Sequence, residues 1–357
     1  MTPFVDVIVV LYHSASYLEA LFNGLARADY ERDRWVVHFV DNSPGDGSLD
    51  EAKKQLARRA GSLPTVIIHE PGENTGFSRG NNLAWRESIS QGHEYVYLLN
   101  PDAEFESSTL SAAVAVAEAD KNIGSVQSLL VLQQNPEEVN SSGNAIHFLG
   151  FGYCGGYHEQ RKDVPAEVKM IAYGSGAGIL YRNSAAREIG LLDETLFMYH
   201  EDLDLGWRMM LAGYHNVMAP QSILRHRYEF SRSIQKWYWM ERNRWVVVLK
   251  NYAWPTVVLL LPMLCVADVA LLAFAVKGGW WREKLRAMAW FFRLQTWIYI
   301  WRGRRDVAKI RKVPDSLILR RLTPLIAYQE FEHDLVNKIA NPFWKLSFAW
   351  LKFIVRW

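Results

Sequence analysis

Cysteine is nearly absent: Cys154 and Cys265 are the only two in 357 residues, far apart and in unlike contexts. Neither a disulfide framework nor a cysteine-based zinc site is expected, and a reducing compartment is the simpler setting. The N-terminus lacks a basic segment leading into a long apolar one. "MTPF" runs straight into a short strand that carries Asp6, so no secretory signal is expected and the first half should fold in the cytoplasm. Also missing is a Gly-x-Gly-x-x-Gly turn after that strand. "YHSAS" stands there instead, which counts against a dehydrogenase-type dinucleotide site.

What the chain does have is charge separated along its length. Overall it is nearly neutral, with 40 Lys+Arg against 38 Asp+Glu. Residues 1–230 hold 18 Lys+Arg against 30 Asp+Glu, whereas residues 231–357 hold 22 against 8, together with 12 of the 15 tryptophans. An acidic half followed by a basic, Trp-rich half predicts two regions with two jobs. The basic half could face nucleic acid or an anionic membrane surface. Its charge is interleaved with long apolar runs that a soluble nucleic-acid binder would not need, so no nucleic-acid partner is expected.

The first half reads as strand, helix, strand, helix. "VDVIVVL", residues 35–40, residues 65–68 and "YVYLL" are apolar runs of the kind found in strands buried on both faces. Polar clusters gather where these runs end. That is the pattern of a doubly wound α/β sheet, in which ligands sit outside the carboxyl ends of the strands. The second strand ends on Asp41, which can accept from a base or ribose, or equally cap a turn. The third leads into "EPGENTGFSRGNNLAWRES", a Gly- and Asn-rich loop feeding a helix. The fourth ends on Asn100-Pro101-Asp102, which turn chemistry alone can explain, since Pro fixes φ and Asn and Asp bond their own backbone. An Ala-rich helix is expected over 107–120, while 121–170 offers little beyond the loop-like "GFGYCGGYH".

Residues 174–230 carry the densest pattern. Gly174, Gly176 and Gly178 lead an apolar strand and allow close approach by a ligand or a neighbouring chain segment. Glu201, Asp202 and Asp204 sit where a helix should start, with Leu203, Trp207, Met210 and Leu211 as its buried face and Gly213 as its stop. Acids at a helix N-terminus complement the macrodipole, but three exceed what capping needs.

Taken in order, "VDNSPGDGS", "ENTGFSRGNN", "LLNPDAEF", "GLLDETLFMYHEDLDLGWRMMLAGY", "HRYEFS" and "ERNR" make the chain resemble the family 2 glycosyltransferases of the GT-A fold over about residues 4–244. The nearest look is to the rhamnosyltransferase and galactofuranosyltransferase-like branch that assembles bacterial surface polysaccharides. The resemblance implies a GT-A catalytic domain over 1–230, Rossmann-like with a mostly parallel sheet flanked by helices, and a nucleoside-diphosphate sugar donor. It implies that Asp41 and Asn42 meet the nucleotide and that Gly76, Phe77, Arg79 and Asn82 line its site. Asn100-Pro101-Asp102 then occupies the position of the family's Asp-x-Asp, so Asp102 would hold a divalent metal against the diphosphate, and His226 matches the late metal-binding His. Asn100 replaces the motif's first Asp and supplies no charge, which leaves metal affinity to Asp102, the diphosphate and a further ligand. Hard oxygen donors with one imidazole suit Mg²⁺ or Mn²⁺. Asp202 matches the family's base for a single displacement that inverts the anomeric centre, with Glu201 or Asp204 orienting or structural. Gly176, Asp204, Arg242 and Arg244 are candidate acceptor or diphosphate contacts. The QxxRW-type signature of processive synthases is not seen, since "ERNRW" is a different motif. The branch points first to dTDP-rhamnose and second to a UDP-hexose. The rival reading is a catalytically inactive membrane-bound scaffold or carbohydrate-binding subunit with the same fold. Its signature would be loss of the acids, yet Asp102, Asp202 and His226 are all present.

Residues 255–276, "PTVVLLLPMLCVADVALLAFAV", are long enough to cross a bilayer, with Asp268 their only charge. Pro255, Pro262 and Asp268 are awkward in a simple span, and one crossing would put the basic tail outside, against the positive-inside tendency. A monotopic, in-plane placement avoids the conflict and is preferred over a short hairpin or a second crossing through 287–301. In the last helix Lys345, Lys352 and Arg356 form one stripe, with Phe343, Phe348, Leu351, Phe353, Ile354 and Val355 over the remaining surface. Such a helix can lie on anionic lipid, or can simply pack on its domain. The cytoplasmic face of the inner membrane is the expected location. A glycan or polyprenyl-diphosphate-linked acceptor is implied by the family resemblance.

Overall fold

The computed structural model describes residues 2–228, 234–326 and 336–357. Its first part is the expected α/β alternation: β1 (Val5–Leu11), α1 (Leu18–Ala26), β2 (Trp35–Asp41), α2 (Ser48–Arg58), β3 (Thr65–His69), α3 (Gly76–Gln91) and β4 (Tyr95–Leu99). β3, β2, β1 and β4 pair in parallel, in that order. β1, β2 and β4 are mostly apolar because both faces are covered, with Asp6 and His38 as buried exceptions, whereas β3 at the edge is only partly buried. Val5, Val7, Val9 and Leu11 pack with Leu18, Leu21 and Phe22 of α1, whereas Ile8 and Val10 pack with Ala84 and Trp85 of α3.

After β4 the sheet changes character. β5 (Ala103–Phe105), α4 (Thr109–Ala119), β6 (Ile123–Leu132), β7 (Asn135–Ser141), β8 (Asn144–Ile146), β9 (Gly152–Cys154), β10 (Lys169–Ile171), β11 (Gly178–Arg182), α5 (Asn183–Ile189), α6 (Glu201–Leu211) and β12 (His215–His226) follow. The ten-stranded sheet runs β10-β12-β6-β11-β4-β1-β2-β3, with β5 on β12 and β7 on β6. β11 enters antiparallel to both β4 and β6, while β6 and β12 are parallel. The Rossmann-like parallel order thus holds for the first half, and the second half is mixed because no crossover helix precedes β11.

The C-terminal region consists of α7 (Lys236–Asn251), α8 (Trp254–Lys277), α9 (Trp281–Trp290), α10 (Leu294–Ile310), α11 (Asp315–Ile318) and α12 (Asn341–Ile354). Leu203, Trp207 and Leu211 of α6 share a core with Val246 and Val247 of α7, Leu260 and Leu264 of α8, Ile300 of α10 and Phe348 of α12. The division expected near 230 and the Glu229, Phe230 and Ser231 end of "HRYEFS" lie outside the described residues.

Among the described residues, α8 alone is long and apolar enough to cross a membrane. Midway along it, however, Asp268 is ion-paired to Arg244 of α7 and, at 2.7 Å, to Lys284 of α9. Both cations also pair with Glu241 of α7. Burial raises the pKa of Asp268, but Arg244 and Lys284 outweigh it and hold the carboxyl below its ordinary value. These four charges fasten α8 by its middle to α7, whose Val246 to Val248 are fully buried. α8 therefore lies along the body, with Val258, Leu261, Val266, Val269 and Val276 exposed on its outer side. Residues 287–301 do not form one helix, since α9 ends at Trp290 and α10 begins at Leu294. α12 combines both readings of its sequence: Trp344, Phe348, Leu351 and Val355 pack inward, while Phe343, Leu346, Trp350 and Phe353 are exposed beside Lys345, Lys352 and Arg356.

Replacing Asp268 by Asn leaves two buried cations short of a partner. It is expected to cost about 3–5 kcal/mol in a denaturant melt; an unchanged midpoint would show that the cluster does not hold α8 in place.

Candidate active site

The approach to α6 is strained. Phe197, Tyr199 and His200 have φ of 65°, 63° and 67°, in the left-handed region that non-glycine residues avoid. Side chains from α7 hold them there. The Asn243 Nδ2 group, fully buried, donates toward the carbonyls of Leu196, Met198 and Tyr199 at 2.9, 3.0 and 2.7 Å. Arg242 donates to the carbonyls of Thr195 and Leu196 and stacks 4.4 Å from the Trp239 ring and 4.9 Å from that of Trp290. The first turn of α3 closes on the same segment. Ser78 N–H donates to Phe197 O at 3.2 Å, and a Cβ on Gly76, itself at φ 75°, would come within 2.4 Å of the Phe197 ring.

This arrangement presents Glu201 and Asp202 at the first turn of α6. Asp202 accepts from Gly176 N–H at 3.2 Å and from its neighbour Leu203 N–H at 2.7 Å. Burial pushes its pKa up to about 6, against those two N–H donors. Glu201 is raised well above the ordinary range by burial and by the charge of Asp202, and its Oε2 has no hydrogen-bond partner among the described residues. The two acids line a cavity of about 190 Å³ together with Tyr153, Tyr173, Ser175 and Tyr228. A buried carboxyl with a pKa near 6 can accept a proton at neutral pH and give it up again.

A second pair forms where β5 meets the end of β12. Ala103 stands opposite His226, and Arg227 N–H donates to Asp102 O at 3.0 Å. Asp102 Oδ1 consequently lies 3.4 Å from His226 Nε2. The other ring nitrogen, Nδ1, donates to Asn140 Oδ1 at 2.8 Å, which turns the Nε2 lone pair toward the carboxylate. One carboxylate oxygen and one imidazole lone pair so placed fit a divalent cation whose remaining positions are filled by diphosphate and water. Asn100 builds the turn, with its N–H donating to Ala177 O at 3.0 Å and its carbonyl accepting from Ala103 N–H at 3.1 Å. Tyr228, two residues beyond His226, borders the cavity of the acid pair.

Several expected contacts face elsewhere. Asp41 is buried at the end of β2, its pKa raised by burial, and it accepts from Ser43 N–H at 3.3 Å. Asn42 is spent on the loop: its Oδ1 accepts from Thr75 N–H and Oγ1, both at 2.7 Å, and its Nδ2 donates to Asn74 Oδ1 at 3.0 Å. Asn82 is spent on residues 192–194, donating to Leu192 O at 2.8 Å and accepting from Leu192 N–H at 3.2 Å. Arg79 is exposed beside Glu73, and Phe77 packs so closely on Gly176 that a Cβ there would lie 3.0 Å from its ring. Asp204 is turned away from the cavity into ion pairs with Arg208 at 2.8 Å and Lys250 at 3.2 Å. Arg242 and Arg244 are buried structural cations rather than phosphate contacts, because their guanidinium groups are occupied by main-chain carbonyls and by Glu241 and Asp268 respectively. Asn243 and Asn140 were not anticipated. The first lies inside the quoted "ERNR", and the second in the stretch that shows no readable pattern.

A nucleotide-type parallel half, an acid pair at a helix start and a carboxylate–imidazole pair at the sheet's carboxyl edge define a group-transfer enzyme of the GT-A type. The family model described as "Glycosyltransferase like family 2" matches residues 3–247, and the chain belongs to that family. It is a glycosyltransferase, and its family uses nucleotide sugars. It is 26% identical over 250 residues to the N-acetylglucosaminyl-diphospho-decaprenol L-rhamnosyltransferase of Mycobacterium tuberculosis, covering 64% of this chain and 77% of that one. It is 24% identical over 210 residues to the low-salt glycan biosynthesis hexosyltransferase Agl10 of Haloferax volcanii, covering 57% of this chain and 60% of that one. Among solved structures, the mannosyltransferase PcManGT of Pyrobaculum calidifontis, in complex with GDP-Man and Mn²⁺, matches 99% of this chain and 88% of its own with a TM-score of 0.53 at 15% identity. GalNAc-T7 with UDP, GalNAc and Mn²⁺ matches 70% of this chain with a TM-score of 0.56 at 14% identity, and the chain spans 48% of that protein. These two likenesses establish the fold.

Because the folded pKa of Asp202 exceeds the ordinary 3.8, ionising it costs the folded state stability as pH rises through about 4 to 6. Asp202→Asn is expected to stabilise the protein at pH 8 by about 1–3 kcal/mol, with the gain gone below pH 4. A lower denaturant midpoint for the variant at pH 8 would contradict this environment for Asp202.

Proposed function

We propose that the protein transfers a sugar, with inversion, from a nucleoside-diphosphate donor to a polyprenyl-diphosphate-linked acceptor at the cytoplasmic face of the plasma membrane. One observation carries the acceptor class. The cavity of Glu201 and Asp202 shares Gly152, His200 and Met240 with an apolar cavity of about 510 Å³ between α7, α8 and α12, lined by Trp237, Leu271, Phe274 and Phe343 among others. A glycan head beside the acids would leave its isoprenoid chain next to that apolar space. The M. tuberculosis relative, whose name gives a diphospho-decaprenol acceptor and L-rhamnose, supports L-rhamnose as the transferred sugar; dTDP-rhamnose as first donor and a UDP-hexose as second follow from the resemblance of the sequence to that branch.

In this reading Asp202 takes the proton of the acceptor hydroxyl. The freed oxygen attacks the anomeric carbon as the bond to the nucleoside diphosphate breaks, and the electron pair leaves with the diphosphate. Asp102 and His226 would hold Mg²⁺ or Mn²⁺, which when bound neutralises the leaving diphosphate. Glu201, buried and raised in pKa, stays protonated and can donate to the acceptor or to Asp202. Gly176 N–H keeps the Asp202 carboxylate aimed. The division of labour is a catalytic region over 1–230 and a membrane-docking region over 231–357.

Thermal stabilisation by a panel of nucleoside diphosphates, with and without Mn²⁺, tests the donor half of the proposal. One nucleotide is expected to stabilise the protein only with Mn²⁺, and Asp102→Ala should abolish the effect. Asp202→Asn should keep that stabilisation yet lower turnover by about 10²–10⁴-fold, and wild-type kcat/KM should fall on acidification below about pH 6. Near-normal turnover in Asp202→Asn would sink the assignment, and no response to any nucleotide would favour the inactive scaffold. For the membrane half, replacing Lys345, Lys352 and Arg356 by Ala should weaken sedimentation with phosphatidylserine vesicles by about 1 kcal/mol per charge removed. Unchanged binding would rule out α12 as the docking face.

A further inference from the structure

Between the sheet and α3, toward β2 and β3, the titratable side chains of Asp6, His38, His69 and Glu87 come together. The parallel register sets His38 of β2 beside Ile8 of β1, and His69 of β3 beside Val40 of β2, on the face that α3 covers. Glu87 of α3 points to the same spot. His38 is fully buried, and its Nε2–H donates to Asp6 Oδ1 at 2.8 Å. That contact leaves Nδ1 as the lone-pair nitrogen, 3.0 Å from His69 Nε2. Glu87 Oε2 lies 3.8 Å from the same His69 nitrogen, and one ligand atom from each of the three residues falls within 4.8 Å of the other two.

We propose that His38, His69 and Glu87 form a transition-metal site, suited to Zn²⁺ and separate from Asp102 and His226. Bonds of about 2.0–2.2 Å to a tetrahedral ion put neighbouring ligand atoms roughly 3.3 Å apart, and the two contacts at His69 bracket that length. Two imidazoles with one carboxylate are the borderline donors that Zn²⁺ takes, unlike the oxygen-dominated set at Asp102. Asp6 supplies the carboxylate that orients a metal-bound histidine through its other nitrogen. Asp6 is itself held, its Oδ2 accepting from Ser88 Oγ at 2.6 Å and lying 2.7 Å from His93 Nδ1. His69 and Glu87 are partly exposed, so an ion can enter from outside and a water can fill the fourth position. β3 is the last strand of the sheet, and a metal there would fasten it to α3, the helix whose first turn carries "GFSRG". Without an ion Asp6, His38 and His69 form a hydrogen-bond chain, with His69 Nε2–H donating to His38 Nδ1 and Glu87 standing 3.8 Å from that nitrogen of His69. Metal uptake needs only the other tautomer of His69.

The test is calorimetric titration of chelator-stripped, full-length protein with Zn²⁺, paired with visible absorption of the Co²⁺ form. One Zn²⁺ per chain is expected, with the intense bands of tetrahedral Co²⁺. Affinity should fall at least about tenfold in His69→Ala and in Glu87→Gln, roughly 10–100-fold in Asp6→Asn, and stay unchanged in His226→Ala. Glu87→Gln alters a partly exposed side chain, and its circular dichroism serves as the check that the variant folds. Absence of saturable Zn²⁺ binding, or binding that survives both His69→Ala and Glu87→Gln, would overturn the site and leave the cluster as a hydrogen-bond network only.

Discussion

The side-chain amide of Asn243 reaches three consecutive-region carbonyls of the segment before α6, and much of the molecule is arranged around that contact. Three left-handed residues in four positions do not persist unless their surroundings hold them. Asn243 can do so only if α7 is itself immobile. α7 is fixed on one side by the core it shares with Trp207 and Leu211 of α6, and on the other by Glu241 and Arg244, which pair with Asp268 and Lys284. The aim of Glu201 and Asp202 is therefore coupled, through one helix, to the position of the apolar α8. A device that sets acids at a reaction site and one that presents an apolar face outward share the same helix.

Burial acts in opposite directions along α6. Asp202 and Glu201 lose water and gain no cation among the described residues, and their carboxyls are raised. Asp204, two residues on, is fully buried, yet Lys250 and Arg208 outweigh that burial and hold it down to about 2. The helix turn between them is enough to send one acid into the cavity and the other into the packing against α7. Paired charges of this kind fix elements in place, whereas unpaired ones are costly to keep and are found where a proton has to move. The same contrast separates Asp268, paired and lowered, from Asp202.

Legibility followed burial chemistry. β1, β2 and β4 were readable because their runs are almost wholly apolar, Asp6 in β1 and His38 in β2 being single breaks. β6 is just as buried but carries Ser125, Gln127 and Ser128, satisfied by Asn216, Ser141 and Tyr97, so its run looks broken and 121–170 could not be read. The price of that gap was Asn140, Tyr153 and the hairpin of β8 and β9, which border the candidate site. Arg242 and Arg244 were misread for a related reason. Near an anionic ligand site a guanidinium suggests phosphate, and only packing reveals that main-chain carbonyls and buried acids already occupy it.

The sequence by itself determined the element types of the nucleotide-side half, the helix start at Glu201 with Gly213 as its stop, and the order of motifs that marks a family 2 glycosyltransferase. These are properties of local pattern, set by period, capping and turn chemistry within a few residues. Tertiary structure alone decided that Asp202 and Asp204 part company, that α8 lies along the body, and that His38, His69 and Glu87 converge. Each of these depends on which strand lies beside which and on which charge finds a partner. A linear pattern cannot specify such pairings, because their energy comes from groups tens to hundreds of residues away along the chain.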